Sequence, residues 1–178
     1  MTDRDRILAA ARRNAPAPRP LPEPPAFGLA GDPVERFRQA ARATGARVLD
    51  ADGGDPARVA FPDGRAVAWA AAWDGSCDAL AALDGLVCRA AFGVAENGAV
   101  WLAEPETAGR VGVFLAPHVA VVVARADLVG TMHEAYARLA EPEGGYGVFV
   151  AGPSKTADIE QSLVVGAHGP LSLAVVLT

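Results

Sequence analysis

The sequence contains few cysteines, and this scarcity limits the chemistry that the chain can carry by itself. Only two are present among 178 residues, Cys77 and Cys88. A disulfide framework, a zinc ribbon or an iron–sulfur cluster needs more cysteines, at other spacings, than this pair supplies. Neither cysteine has a His or Lys next to it that would stabilise a thiolate. We therefore expect both to be small buried hydrophobic residues.

The chain also lacks a surplus of positive charge and a long apolar run. Its net charge is -5 and its arginines are scattered, so the cationic stripe with which a protein binds nucleic acid is missing. No apolar stretch reaches the roughly 18 residues that span a bilayer. The first residues carry acidic side chains rather than the apolar core of a signal peptide. We expect a cytoplasmic protein with no nucleic-acid partner and no membrane span.

Histidines at the spacing of a metal site are missing as well. His118, His133 and His168 are far apart in the sequence and form no i,i+3 or i,i+4 pair. We therefore predict that this chain binds no metal, although folding can still bring two of the histidines to one sheet edge. Ser154 and His168 are conceivable as a nucleophile and its base, but the G-x-S-x-G elbow of serine hydrolases is absent.

Apolar residues are abundant and make up 51% of the chain. This proportion and the chain length predict one globular domain with a substantial core. The beginning of the chain differs from the rest, because a short helix ending in Arg12 and Arg13 is followed by six prolines between residues 15 and 25. Such prolines exclude regular structure and favour an extended linker. We predict an N-terminal helical arm and Pro-rich linker over residues 1–25 and a folded domain over residues 26–178.

Helix and strand signals alternate along this predicted domain. Asp32 and Pro33 begin a helix, and strands are predicted at residues 47–49, 66–70, 119–124, 146–150 and 171–177. Apolar runs on both sides of Asn97-Gly98 give the strongest hairpin signal. The fully apolar run at 119–124 is typical of a sheet covered on both faces. The predicted fold class is α/β: a single domain with a mainly parallel sheet, flanking helices and an antiparallel hairpin.

Three further elements are predicted from apolar spacing. Residues 110–115 have the composition of a strand, and residues 77–83 indicate a weak helix. A longer helix is predicted to begin at Asp127 and to end at the Glu-Pro-Glu-Gly-Gly run. Strand, helix, strand, helix and strand in the last third then predict βαβ crossovers within one sheet. The apolar face of the longer helix would consist of Leu128, Val129, Met132, Tyr136 and Leu139.

The run GPSKTADIEQSLVVGAHGP, residues 152–170, lies between the last two predicted strands and is the first place to look for a site. It predicts a tight loop, a short helix and a second tight loop. GPSKT does not match a P-loop, because both required glycines are absent. The start of the predicted helix favours two interpretations: an anion held by Ser154, Lys155 and Thr156, or simple capping by Ser154 or Thr156.

Glu160 is the acid that this predicted helix singles out. At 100° per residue it projects between Leu163 and Val164 on the apolar side, whereas Asp158 projects on the opposite side. A buried carboxylate needs a partner or a raised pKa. Two interpretations stay open: a structural ion pair with an arginine, or a role as catalytic acid/base or ligand contact.

Three segments of the second half together resemble a known family. They are the turn Gly93-Val94-Ala95-Glu96-Asn97-Gly98, the segment from Pro117 and His118 to Val122, and the run at residues 152–170. The last is similar to the GPSxTADIE…G.HGP signature of the LUD-domain family, in particular its LutC/YkgG-like lactate utilisation subunits. The resemblance covers residues 90–178. Asn97 stands where the family usually has Thr.

The resemblance implies a NagB/RpiA/CoA-transferase-like fold and an accessory role in an iron–sulfur system that oxidises L-lactate to pyruvate. Iron–sulfur clusters are then expected only on partner subunits, with no cofactor bound by this chain and a small anionic ligand possible. The alternative is a stand-alone enzyme related to sugar-phosphate isomerases or CoA transferases that uses Glu96 or Glu160. Carried over to this sequence, the candidate catalytic residues are Glu96, Glu160 and His168, and the candidate ligand-binding residues are His118, Ser154, Lys155, Thr156 and Asp158.

Overall fold

The structure, a computed structural model, describes most of the chain. The described ranges are residues 2–17, 19–23, 25, 28–73, 76, 78–79, 82–139, 145–157, 163–166 and 168–178.

The described residues form eleven strands, which belong to two sheets and one separate hairpin. Their bounds are β1 Arg47–Asp50, β2 Val67–Trp69, β3 Gly85–Arg89, β4 Phe92–Val94, β5 Ala99–Ala103, β6 His118–Val123, β7 Leu128–Val129, β8 Gly147–Val150, β9 Lys155–Ala157, β10 Leu163–Val165 and β11 Ser172–Leu177.

Five α-helices of four residues or more occur in the described chain. The first packs least, since none of its residues is buried, whereas the second begins at the side-chain cap of Asp32 and buries Phe37 and Ala41. The helices are α1 Asp3–Arg13, α2 Pro33–Ala43, α3 Pro56–Ala60, α4 Gly112–Leu115 and α5 Met132–Arg138.

The main sheet is parallel throughout, in the order β1-β11-β6-β3-β2. Its central strands are covered on both faces, as their apolar sequences predict. Alternate residues of β6 belong to different clusters: Val119, Val121 and Val123 pack with α2, whereas Ala120 and Val122 pack with α3. The period of two therefore gives the sheet an α2 face and an α3 face.

The second sheet is mixed, in the order β7-β4-β5-β8. Its outer face carries an aromatic cluster in which the rings of Trp101 and Phe149 lie 4.6 Å apart between centroids and Phe92 packs against both. Helix α5 contributes Ala135 to this smaller core. Glycine is required at position 147, because any Cβ there would collide with the indole ring of Trp101.

Several elements confirm the sequence predictions. The mixed α/β fold with a mainly parallel sheet is present, as are α2 with its Asp32 cap, the strand at 119–124 and the hairpin at Asn97-Gly98. In that hairpin Gly98 has φ +71°, and a Cβ there would collide with the backbone of Ala41. The turn therefore needs glycine both for its conformation and for the close approach of α2. Cys88 is buried as predicted.

The strand predicted at residues 110–115 is wrong. The chain turns through left-handed residues Ala108, Gly109 and Arg110 and then forms the short helix α4. Phe114 and Leu115 remain exposed at the surface, with relative exposures of 39% and 56%. Their apolar character predicted a buried strand because the sequence does not distinguish buried apolar residues from exposed ones.

The helix predicted from Asp127 is wrong over its first part. Leu128 and Val129 form β7 and pair with Gly93 and Val94 of β4, and α5 begins only at Met132 after the side-chain cap of Thr131. The spacing of apolar residues was similar to that of a helix, but pairing with a neighbouring strand decided the structure. The strand β8 joins the second sheet, so the last third of the chain does not form crossovers within one sheet.

The helix predicted within residues 152–170 is also wrong where the structure describes it. Lys155–Ala157 and Leu163–Val165 are strands that pair antiparallel, with Thr156 opposite Val164. Leu163, Val164 and Val165 favour a strand because two of the three are β-branched. Residues 158–162, which connect the strands, lie outside the described residues, as do Cys77, Leu80 and Ala81 of the weak helix predicted at 77–83.

Candidate functional site

The loops on either side of the β9–β10 hairpin bring Ser154 and His168 to one place. The amide of Ser154 donates to the carbonyl of Pro170 at 2.9 Å, and the amide of Gly166 donates to the carbonyl of Ser154 at 3.0 Å. Ser154 and His168 both line a pocket of about 260 Å³. A Cβ on Gly169 would lie 3.1 Å from that of Ser154, so the two loops are in close contact.

Lys155 and Thr156 are held by structural contacts in this region. The ammonium group of Lys155 donates to the carbonyl of Thr44, the C-cap residue of α2. A cation at a helix C-terminus is stabilised by the unpaired carbonyls and the helix dipole. Thr156 lies within β9. Lys155 therefore joins the hairpin to α2, and its charge is partly neutralised by carbonyl dipoles.

An exposed apolar surface surrounds His168. A cavity of about 540 Å³ is lined by Phe114, Leu115, Pro117, His168 and Leu171, among others. The relative exposures of Leu115 and Leu171 are 56% and 51%. We call this the α4 surface. It consists of the three exposed apolar residues that line the cavity, Phe114, Leu115 and Leu171.

His118 does not join this group, because it lies on the α3 face. His118 is opposite Ser172 in the parallel register, and its Nδ1 shares a hydrogen bond of 2.8 Å with Ser172 Oγ. Leu171 precedes Ser172 and lines the cavity beside His168. Neighbouring residues at the start of β11 therefore line pockets on opposite faces.

The pocket at His118 contains charged side chains. It has a volume of about 300 Å³ and is lined by Arg47, Asp63, Arg65, His118 and Ser172, with Phe61 among the remaining wall residues. Arg65 donates through Nε to Asp63 Oδ1 at 3.0 Å and through Nη2 to the other carboxylate oxygen. This pairing lowers the pKa of Asp63 to about 2.

Glu96 lies at a third place, next to the start of α5. Its carboxylate accepts a hydrogen bond from the amide of Met132 at 2.8 Å. The first amides of a helix have no partners within the helix, and a carboxylate there satisfies one of them and favours the dipole. The structure therefore shows a capping contact for Glu96.

Asp158 and Glu160 lie outside the described residues. The reason for singling out Glu160 no longer holds, because Leu163 and Val164 belong to a strand and no helical face connects them with residue 160. The proposed roles of both acids stay predictions from the resemblance.

The cavity beside His168 and the pocket at His118 both lie at the amino edge of the main sheet, where β6 and β11 begin. Sequence reasoning missed Arg47, Asp63, Arg65 and Ser172. The available signal was that Arg47, His118 and Ser172 each stand at the first position of a strand.

The opposite, carboxyl edge carries a charge network. Asp50 pairs with Arg38 and Arg125 at 2.6 Å each, and Arg125 also pairs with Asp52 at 3.1 Å. The hydrogen bond from Arg38 contributes most to lowering the pKa of Asp50. These groups neutralise one another and join α2 to the main sheet.

The described residues contain neither a candidate metal site nor a candidate membrane-spanning helix. No group of three or more His, Cys, Asp or Glu side chains is arranged to hold a metal ion in the part of the chain that the structure covers. Within the same part, no helix has the length and apolar character to cross a membrane.

The sequence profile described as the LUD domain matches residues 66–178, which is more than half of the chain. Curated relatives named "Lactate utilization protein C" occur in Geobacillus sp. (strain WCH70), with 38% identity over 84 residues, and in Geobacillus thermodenitrificans, with 38% identity over 90 residues. These matches cover 44% and 47% of this chain and 35% and 38% of the relatives. The chain therefore matches little more than a third of each relative's length.

A solved structure supports the fold. The crystal structure of a DUF162 family protein from Deinococcus radiodurans superposes with a TM-score of 0.61 and covers 85% of this chain and 99% of that protein, at 18% identity. The resemblance that residues 152–170 predicted is confirmed by the profile match and by the names of the relatives. The chain belongs to the LUD-domain family.

Proposed function

We propose that this chain is an accessory, LutC-like subunit of an iron–sulfur system that oxidises L-lactate to pyruvate. The family assignment and the curated relatives named for lactate utilisation support the lactate part of the proposal. The role of a subunit rests on the α4 surface, which is the observation that carries the proposal.

The α4 surface has the properties of a protein interface. Its three side chains are apolar and each is at least 39% exposed, so solvent contact with them is unfavourable. Apolar residues grouped on the surface are typical of interaction sites, whereas scattered ones are ordinary. Gly166, His168 and Gly169 of the family signature line the same cavity. We assign the α4 surface to the iron–sulfur partner subunit.

The cysteines of this chain support placing the clusters on partner subunits. Cys88 is fully buried in the main core, and burial raises the pKa of its thiol well above its usual value. A cluster ligand must be a thiolate that reaches the iron. The proposal therefore assigns the iron–sulfur clusters to partners.

We propose further that the pocket between Ser154 and His168 holds a small anion. The Ser154 hydroxyl and the His168 imidazole line it, and both groups can donate hydrogen bonds to an anion. The nearby ammonium of Lys155 is hydrogen-bonded to Thr44. Binding here is therefore expected to be weak, and Ser154→Ala should weaken it further. Lys155→Ala tests whether the ammonium contributes in addition.

The subunit proposal is tested by purifying the full chain with its partners from cells grown on L-lactate. The native chain should recover an iron-containing partner, measured by iron analysis and visible absorbance. Leu115→Asp combined with Leu171→Asp should reduce the recovered iron by at least about tenfold, because a buried charge is costly in an interface. Leu21→Asp is the matched control, since Leu21 is 91% exposed in the N-terminal segment.

The circular dichroism of the double variant shows whether it folds. A folded double variant that recovers as much iron as the native chain would remove the α4 surface from the proposal. Absence of any iron-containing partner, together with normal growth on lactate after deletion of the gene, would contradict the subunit role itself.

The catalytic alternative stays a prediction. Glu96→Gln and Glu160→Gln should each abolish turnover of a carboxylate or CoA thioester if these acids react. Glu96→Gln should also weaken the capping contact with Met132 by about 1 kcal/mol. Comparing the loss of turnover with the loss of stability distinguishes a reacting acid from a capping residue.

A further inference from the structure

The pocket at His118 is separate from the α4 surface and from the pocket at Ser154, and it combines cations with a hydrogen-bonding pair. We propose that it binds a small carboxylate that bears a hydroxyl or carbonyl group next to the carboxylate. The arginines would hold the carboxylate, and the His118–Ser172 pair would contact the neighbouring oxygen.

Strand register brings the three main residues together. His118 is opposite Ser172, and Arg47 is opposite Ala174, two positions further along β11. Residues paired in a parallel sheet lie on the same face, and so do residues two positions apart. Arg47, His118 and Ser172 therefore share the α3 face at the amino edge of the main sheet. They lie on three adjacent strands, of which β1 is the edge strand and β11 and β6 are paired on both sides.

The arginines supply charge that the protein itself does not fully use. The side chain of Arg47 makes no ion pair or hydrogen bond with any other residue in the described ranges. Arg65 uses Nε and Nη2 for Asp63, so its Nη1 group has no hydrogen bond to a described residue. Among the described residues that line the pocket, two guanidinium groups accompany one carboxylate, that of Asp63, while Asp84 acts on Arg65 from outside the lining. This balance suits the pocket to an anion.

The wall of the pocket holds Arg65 in a fixed position. Its guanidinium carbon lies 5.5 Å from the centroid of the Phe61 ring, and Asp63 fixes its other side. A Cβ on Gly85 would lie 3.0 Å from Phe61, so the aromatic ring packs closely over the first residue of β3. A cation placed by stacking and by a paired carboxylate loses little freedom when it binds a ligand.

The His118–Ser172 pair indicates the second group of the ligand. With Nδ1 bonded to Ser172, the Nε2 atom of His118 is the ring nitrogen left for a ligand. An imidazole and a hydroxyl together can donate to a carbonyl or accept from a hydroxyl. The volume of about 300 Å³ admits a small acid. These features favour 2-hydroxy and 2-oxo acids over simple alkyl carboxylates.

The test is a titration of the full chain with L-lactate as a hydroxyl-bearing probe and propionate as the matched acid without the hydroxyl. Binding is followed by ligand-observed NMR. L-lactate should bind at least about threefold more tightly than propionate. Arg47→Gln should weaken both by about tenfold or more, because it removes a charge-assisted hydrogen bond. Ser172→Ala should weaken L-lactate alone.

Arg58→Gln is the control, since Arg58 is an exposed arginine of α3 that does not line the pocket. Its affinity for L-lactate should equal that of the native chain. Equal loss in Arg58→Gln and Arg47→Gln would overturn the proposal, as would absence of L-lactate binding at tens of millimolar. Binding that disappears in Ser154→Ala but persists in Arg47→Gln would also overturn it, because the probe would then occupy the other pocket.

Discussion

At the amino edge of the main sheet, the cavity beside His168 and the pocket beside His118 differ in chemistry, although consecutive residues of the chain line them. The pocket beside His168 is bordered by the exposed apolar residues of the α4 surface, and the nearest ammonium, that of Lys155, is occupied by a carbonyl. The pocket beside His118 contains two arginines, an aspartate and a serine. Leu171 and Ser172 are consecutive residues, and each lines one of the two.

This difference shows how one family signature can serve two surfaces. The final strand β11 has a period of two, so each shift by one residue moves a side chain to the other face of the sheet. In our proposals, the α4 surface binds a protein partner and the pocket on the α3 face binds a small charged molecule. A candidate set collected along the sequence therefore separates into distinct places once the strands are paired.

The largest expected effect is on the free energy of unfolding, when a glycine beside one pocket is replaced and compared with a glycine beside the other. Gly152 and Gly64 both have positive φ, +74° and +71°. A Cβ on Gly152 would collide with the carbonyl of Thr44, whereas Gly64 has open space around it. Gly152→Ala should lower the free energy of unfolding by roughly 3 kcal/mol, and Gly64→Ala by about 1 kcal/mol. Denaturant unfolding measures both.

Equal losses for the two glycine variants would contradict the close packing of the β9–β10 hairpin against α2. The hairpin would then be joined to the rest of the fold less tightly than Lys155 and Gly152 indicate.

A smaller effect compares the two cations. Lys155→Met removes the hydrogen bond to the C-terminus of α2 and should lower the free energy of unfolding by about 1 kcal/mol. Arg47→Met should change it by less than about 0.5 kcal/mol, because Arg47 has no partner among the described residues. The same variants should show the reverse order in L-lactate affinity. A neutral Lys155→Met would show that its cation is free for a ligand.

The smallest effect concerns pH. Arg65 lowers the pKa of Asp63 to about 2, so the pair should stabilise the fold fully above the ordinary carboxyl pKa near 4. The contribution should be lost as pH falls from about 4 towards 2. Carboxyl-carbon NMR of Asp63 gives the midpoint directly. In Arg65→Gln it should return towards 4, and in Arg58→Gln it should stay low. A native midpoint near 4 would show that the pair does not form in solution.

Much of the main sheet could be predicted from local sequence. Residues 119–123 are apolar at every position, which is typical of a strand buried on both faces. Asn97-Gly98 specifies a hairpin turn. Asp32 caps the start of α2, and Pro33 occupies its first helical position. In each case the residues that determine the element lie next to it in sequence.

The failures arose where distant residues decide. Leu128 and Val129 are strand residues because β4 lies beside them, and residues 163–165 are strand residues because β9 does. Phe114 and Leu115 are exposed on α4, although their apolar side chains predicted burial. The same limit applied to the site: the sequence marked His118 and His168 as candidates, but only strand pairing shows that they lie on opposite faces.

The separation of the two pockets is tested most directly by histidine ring NMR of the full chain during titration with L-lactate. The sequence has three histidines: His118 and His168 line different pockets, and His133 lies on α5. We predict that the His118 signals shift first, at L-lactate concentrations at least about tenfold lower than the concentrations that shift the His168 signals. The His133 signals should stay in place. Saturation of His168 before His118, or parallel shifts of all three, would contradict it.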